Sequence, residues 1–248
     1  MLQHSRAIIQ QFREAEEALA ALKGIRGGRL DIAVISAGDY FFPRLLAEFC
    51  RRHDGVMVQL MVNNREEVLR EITENTTDLA IMLRPPEGMD TIAVPFAPQP
   101  QVIVAAPGYP LAGRRRIPLK ALAQEKFIVR EHGSDTRSSM EEAFAERRFK
   151  PRIAMEIKSF ETIKQAVMAG MGVSFLSAHT VSLELQLGRL AVLDVSGFPV
   201  MRNWHVVHRK NKRLPPVALA FKEFLLKEGA LLIDRIVRYR EKPQRSKG

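Results

Sequence analysis

"ETIKQAVMAGMGVSFLS", residues 161–177, is the stretch on which the reading of this chain turns. Ile163, Ala166, Val167 and Gly170 recur at i, i+3, i+4 and i+7, the spacing of one buried helix face. The pattern stops at Gly170-Met171-Gly172, and a short apolar run then ends at Ser177. A glycine closing a helix supplies a positive φ, and a second glycine lets the next strand begin close against that helix. The stretch therefore predicts helix, tight turn and strand, with Ser177 at the strand's far end. In a parallel sheet that end is where ligands bind.

The same alternation extends in both directions. "KFIVRE" (126–131), "RIAMEIK" (152–158) and "GVSFLS" (172–177) read as strands, and "TRSSMEEAFAERRF", "ETIKQAVMAG" and "HTVSLELQLG" as helices. Upstream, "LDIAVIS", "VMVQLMV" (56–62) and "LAIML" (79–83) are apolar runs separated by helical "FPRLLAEFCRRH" and "REEVLREITEN". Strands apolar on both faces, alternating with helices, predict an α/β fold with a parallel sheet covered on both sides. "RLAVLDV" and "RNWHVVHR" read as later strands, and Pro215-Pro216 opens a terminal helix through Phe221, Leu225 and Leu226. Extended, proline-bearing segments near 92–106 and 189–208 would take the chain out of a first unit and back again, making a hinge with a cleft between two lobes.

Composition narrows the function classes. The 248 residues are 46% hydrophobic and 27% charged, with no apolar run long enough to span a bilayer and no secretory leader at the start. The single cysteine, Cys50, excludes an internal disulfide, fits a reducing cytoplasm and reads as a small buried hydrophobe. The net charge of +10 invites a nucleic-acid partner, with basic clusters at 114–116, 209–213 and 235–247. No zinc-ligand spacing, aromatic RNA-binding pattern or helix-turn-helix accompanies them, so solvated surface is the favoured reading. Metal-ligand spacing is absent among the six histidines and the cysteine. "GIRGGRL" precedes the first strand, the wrong place for a dinucleotide fingerprint. Ile8, Phe12, Ala15, Leu19 and Leu22 form a narrow seam of heptad spacing, as in a helix that pairs with another helix.

Ser177 is one of a set. Ser36 follows the first strand, Ser134 and Thr136 follow "KFIVRE", and Ser159 and Thr162 follow "RIAMEIK". Each hydroxyl suits a helix cap; together, with helix N-termini and Arg84, Arg130 and Arg137 at strand ends, they suit an anion. Read as nucleophile and base, Ser177 and His179 stand two apart at a helix start, where side chains diverge, and no acid is placed to orient the histidine.

At these residues the sequence resembles a known family. "GRLDIAVISAGDYFFPRLLAEFCRRHDGV", "DLAIMLRPPEG", "FIVREHGSDTR" and "ETIKQAVMAGMGVSFLS" resemble the effector-binding region of LysR-type transcriptional regulators, from Arg26 to about Leu226. "RPPEGMD", "YPLAGRRRIPL", "ETIKQAVMAG" and "LAVLDVSGFPV" look most like the regulators of RuBisCO operons. The resemblance implies two Rossmann-like subdomains joined by two crossing strands, periplasmic-binding-protein-like (type 2), preceded by part of a linker helix. The expected divisions are a partial linker and dimerisation helix over 1–25, subdomain I over 28–97 plus 202–240, subdomain II over 98–201, and a basic tail over 241–248. The implied effector-binding set is Ser36, Ala37, Arg84, Arg130, Ser134, Asp135, Thr136, Arg137, Phe160, Glu161, Thr162 and Ser177. Phe160, Asp135 and Asp39 depart from the residues common in the family, and the two aspartates make the site less cationic.

The implied function is ligand sensing for a DNA-binding regulator of carbon-fixation genes, with DNA reached only through a helix-turn-helix domain that this chain does not include. A Calvin-cycle metabolite such as a phosphorylated sugar, or a nicotinamide cofactor, is expected as effector and not as a resident cofactor. The chain is expected to be cytoplasmic, without a membrane partner and without enzymatic activity. Self-association as a homodimer or homotetramer is expected through Ile8, Phe12, Leu19 and Leu22, and through a second contact around Leu45 to Cys50. The alternative is a stand-alone two-lobed solute-binding protein for a small anion.

Overall fold

The computed structural model describes residues 27–237. The expected linker seam at Ile8, Phe12, Leu19 and Leu22 and the basic tail lie outside the described residues. Contacts divide the chain into two units. One takes the described residues up to Pro98, with Gly133–Asp135 and Asn203–Ala230; the other takes Gln99–His132, Thr136–Arg202 and the described residues from Leu231 on.

The first unit opens with β1 (Gly28–Ile35), a 3-10 turn (Ser36–Gly38), α1 (Phe42–Arg52), β2 (Val56–Asn63), α2 (Arg65–Thr73) and β3 (Leu79–Met82). β1 pairs in parallel with β2, from Gly28↔Val56 to Ile35↔Asn63, and with β3 at Ile32↔Leu79. Every residue of β3 is buried, as a strand with neighbours and cover on both sides must be. Pro43 sits in the first turn of α1, where its missing N–H costs nothing. Asn64 caps α2 by accepting from Glu67 N–H at 2.9 Å, and the Glu67 carboxylate accepts from Asn64 N–H in return. Phe41 meets Trp204 edge-on at 5.1 Å and Phe49 meets Phe221 edge-on at 4.9 Å, all four rings buried. Within this core Leu45 is fully buried and Cys50 is only half-buried. Burial still raises the Cys50 thiol pKa, which disfavours the reactive thiolate.

β4 (Thr91–Ala105) and β9 (Val200–Arg209) each contribute residues to both units. In the first unit β9 runs antiparallel on β3, with Ala80↔Val207 and Ile81↔Val206. The expected parallel sheet is thus mixed. The returning crossing segment is also shorter than the expected 189–208, because β9 begins at Val200. Residues 191 and 192 form β8 (Ala191–Val192), which pairs antiparallel with β4.

The second unit contains β5 (Lys126–Arg130), α3 (Asp135–Glu146, whose first residue belongs to the first unit), β6 (Arg152–Ile157), α4 (Phe160–Met168), β7 (Ser174–Ser177) and α5 (Ser182–Gln186). The final helix, α6 (Pro216–Val237), starts at the second of the two prolines. Within it Phe221 and Leu225 are buried while Leu226 is exposed. β5 and β6 are parallel, whereas β7 pairs antiparallel with β4, at Gln101↔Ser177 through Val104↔Ser174. The strand reading of 172–177 holds for Ser174–Ser177, and its setting is mixed: antiparallel to β4, with a parallel bridge from Val173 to Phe127 of β5. "HTVSLELQLG" supplies only the five residues of α5, because 178–181 continue as a turn after Ser177. Phe144 anchors the core, edge-on to Phe149 at 5.0 Å and to Phe175 at 5.9 Å.

The glycine pair explains the turn at 170–172. Gly170 has φ +76°, the left-handed region that ends a helix, with open space around its missing Cβ. Gly172 is needed for a different reason: a Cβ there would overlap the Lys126 carbonyl oxygen. That closeness lets Val173 N–H donate to Lys126 O at 2.9 Å and Ile128 N–H to Val173 O at 2.9 Å, stitching the start of β7 to β5.

Candidate functional site

In the first unit, Ser36 is half-buried at the end of β1, and Ala37 is buried in the turn that follows. Arg84 leaves the end of β3, and its guanidinium Nε lies 3.3 Å from Asp135 Oδ1. Arg65, the first residue of α2, places Nη1 3.0 Å from the same oxygen. The backbone N–H of Leu83 donates to the other carboxylate oxygen at 3.3 Å. Arg65 is held in place independently: Nη1 also donates to Arg84 O at 2.6 Å and Nη2 to Pro85 O at 3.3 Å. Two cations and an amide thus converge on one carboxylate.

In the second unit, Arg130 ends β5 with its guanidinium carbon 3.8 Å from the Phe160 ring centroid, and both side chains are buried. Its Nε and Nη2 donate to the Glu131 carboxylate at 2.7 and 2.9 Å. Arg137 is buried and committed to structure: Nε donates to Glu141 at 2.6 Å, and Nη1 to Arg130 O at 3.0 Å and Glu156 at 3.2 Å. The expected set of three anion-seeking arginines therefore meets carboxylates of its own chain at every member. Ser134 and Thr136, either side of Asp135, are buried at the start of α3.

Ser159 is the N-cap of α4, its Oγ accepting from Thr162 N–H at 3.2 Å. Thr162 is exposed, so its backbone, through that N–H, is what the cap engages. Glu161 pairs with Lys164 at 2.7 Å, and Lys164 also meets Glu184 at 2.8 Å; Lys164 is buried on a helix face that periodicity marked as apolar. Ser177 is fully buried, and its Oγ accepts from the backbone N–H of His179 at 3.1 Å. Burial pushes the His179 imidazole down to about 4, so it is neutral near pH 7.

A family model described as the LysR substrate binding domain matches residues 23–230. The chain belongs to that family. Its fold is the type 2 periplasmic-binding-like α/β fold of LysR effector-binding domains. It is 47% identical over 233 residues to a RuBisCO operon transcriptional regulator of Allochromatium vinosum, covering 94% of this chain and 77% of that protein. It is also 47% identical over 225 residues to the HTH-type transcriptional regulator CbbR of Rhodospirillum rubrum, covering 91% and 74%. Among solved structures it is similar to the regulatory domain of Synechocystis PCC6803 CcmR in complex with 2-PG, with TM-score 0.77, 40% identity, and 80% and 96% of the two chains covered.

In this LysR domain the structure brings together Arg84 with Asp135, and Arg130 with Phe160 and the Arg137 guanidinium. It assigns Leu45 to the core of its own unit, so a contact between copies through α1 would have to use other residues of that helix. Sequence reasoning missed Arg65, Glu131 and Lys164. Arg65 had a readable signal: it follows "VMVQLMV" at a strand-to-helix junction, as the hydroxyls do elsewhere. Among the described residues no group of three or more His, Cys, Asp or Glu is placed to hold a metal ion. No described helix is long and apolar enough to cross a membrane.

Proposed function

We propose that this chain is the metabolite-sensing region of a LysR-type regulator of carbon-fixation genes, and that its effector is a small oxyanion. The observation that carries the proposal is the two buried hydroxyl residues that flank Asp135, Ser134 just before α3 and Thr136 in its first turn. Backbone N–H groups and the positive end of the helix there favour negative charge. The likeness to a regulatory domain whose structure holds 2-PG supports the same ligand class.

On this reading the protein is no enzyme and keeps no resident cofactor; a phosphorylated sugar or a nicotinamide cofactor enters only as effector. It works in the cytoplasm as a homodimer or homotetramer and meets DNA through a separate helix-turn-helix domain. The test is thermal unfolding and calorimetry with 2-PG, a phosphorylated sugar and NADPH. A true effector at a hundredfold its Kd stabilises the chain by about 2.7 kcal/mol. Thr136→Val weakens that ligand by roughly 1–3 kcal/mol, the range for a buried polar partner left unmatched. No stabilisation by any of the three would reject the anion-sensing reading.

A further inference from the structure

The carboxylate of Asp135 sits in a socket that resembles a ligand site more than a surface ion pair. Its side chain is 2% exposed, against 13% for Arg65 and 31% for Arg84. One oxygen takes both guanidinium groups and the other takes the Leu83 N–H, so both ends of the carboxylate are recognised. Two of the three donors are held independently of Asp135. Arg65 is anchored to the carbonyls of Arg84 and Pro85, and the Leu83 N–H is fixed by the backbone at the end of β3. All four residues belong to the first unit. Asp135 belongs to that unit too, on the short segment Gly133–Asp135, whose flanking residues His132 and Thr136 are assigned to the second unit.

We propose that Arg65, Arg84 and the Leu83 N–H form an oxyanion-binding site that Asp135 fills as a tethered occupant, in competition with a free carboxylate or phosphate. Removing the tethered carboxylate takes away an acceptor that Arg65, Arg84 and the Leu83 N–H share, and opens a space the size of the group removed. A carboxylate or phosphate oxygen suits that donor set, because charge-assisted hydrogen bonds to guanidinium groups are the strong ones. An intramolecular carboxylate also competes at high effective concentration, so a free anion gains the site only by outmatching it. The site therefore acts as a specificity filter. The inference rests on the anion-sensing reading only for the identity of a natural competitor.

The experiment uses Asp135→Gly, because glycine empties the socket and is tolerated at a helix start at little cost. Melting is followed while sodium formate or inorganic phosphate is added, with sodium chloride at equal ionic strength as control. The variant should melt below the wild type and be restored saturably by formate, with half-saturation at least tenfold lower than in the wild type. Phosphate tests whether the larger oxyanion also fits. Adding Arg65→Met and Arg84→Met to Asp135→Gly should abolish the response. Asp135→Ser, which keeps a helix-capping oxygen, replaces the glycine variant if that does not fold. Equal responses in wild type and variant, or a response that survives loss of both arginines, overturns the proposal. If the wild type binds 2-PG while the variant gains nothing for formate, the tethered occupant is rejected and the sensor reading stands. If the variant gains formate while the wild type ignores every metabolite offered, the site stands and the sensor reading fails.

Discussion

Arg130 lies against the face of Phe160, guanidinium carbon to ring centroid 3.8 Å, with both side chains buried in the second unit. A buried guanidinium needs partners on every side, and here a carboxylate, Glu131, supplies one and an aromatic face another. Phe160→Leu keeps an apolar side chain but removes the π face. We expect it to lower stability by roughly 1–2 kcal/mol, near the value of a desolvated cation–π contact. A double-mutant cycle with Arg130→Met, followed by urea unfolding, should return a coupling of about that size. Additive losses would mean that the ring serves only as apolar filling.

The two glycines of the 170–172 turn should separate by mechanism. Gly170→Ala places a Cβ in open space but in the left-handed region, for a cost of roughly 1–2 kcal/mol. Gly172→Ala drives a Cβ into the Lys126 carbonyl and should cost roughly 3 kcal/mol, since the backbone itself must move. Unfolding midpoints measured side by side decide it. Equal losses would show that the close approach relaxes without penalty.

His179 should make stability depend on acid. Burial lowers its pKa from 6.5 to about 4, so the folded chain refuses a proton that the unfolded chain accepts. This contribution is present in full above pH ~6.5 and is lost as pH falls from there toward ~4. Between pH 7 and 4.5 it amounts to roughly 2–3 kcal/mol at ~1.4 kcal/mol per pH unit. His179→Phe should flatten the denaturant midpoint over that interval relative to wild type. The same slope in both proteins would place the titration elsewhere.

Ser159 and Thr162 were legible as one kind of residue and act as two. Ser159→Ala should cost about 1 kcal/mol through the lost cap. Thr162→Val should change stability by no more than about 0.5 kcal/mol, because the cap uses its backbone N–H and the side chain is exposed. Thermal melts of the two variants check the distinction.

The difference between what could and could not be read from the sequence follows from distance along the chain. Local devices were plain: the stripe of Ile163 and Val167, the glycine turn, and the proline that opens α6. The antiparallel setting of β7 was not, because an apolar run carries no record of its neighbour's direction. Nor was the neutralisation of Arg84, whose carboxylate stands at position 135. Arg84 looked available to an anion because its partner comes from another element, whereas Arg130 and Arg137 carry partners close by in sequence, Glu131 and Glu141. Lys164 hid on an apolar face for the same reason: the glutamate that justifies its burial, Glu184, lies in α5.

β3 is bordered on one side by β1 and on the other by β9, whose Val206 and Val207 face Ile81 and Ala80. A ribosome releases β3 long before β9, on the order of ten seconds earlier at the usual pace of synthesis. Throughout that interval a wholly apolar strand has one open edge, the kind that recruits wrong partners. The first unit is therefore among the last parts of the chain that can be completed, although most of its residues emerge first. Nascent chains stopped short of His205 carry that open edge permanently, which makes them natural clients for a chaperone that shields unpaired strands.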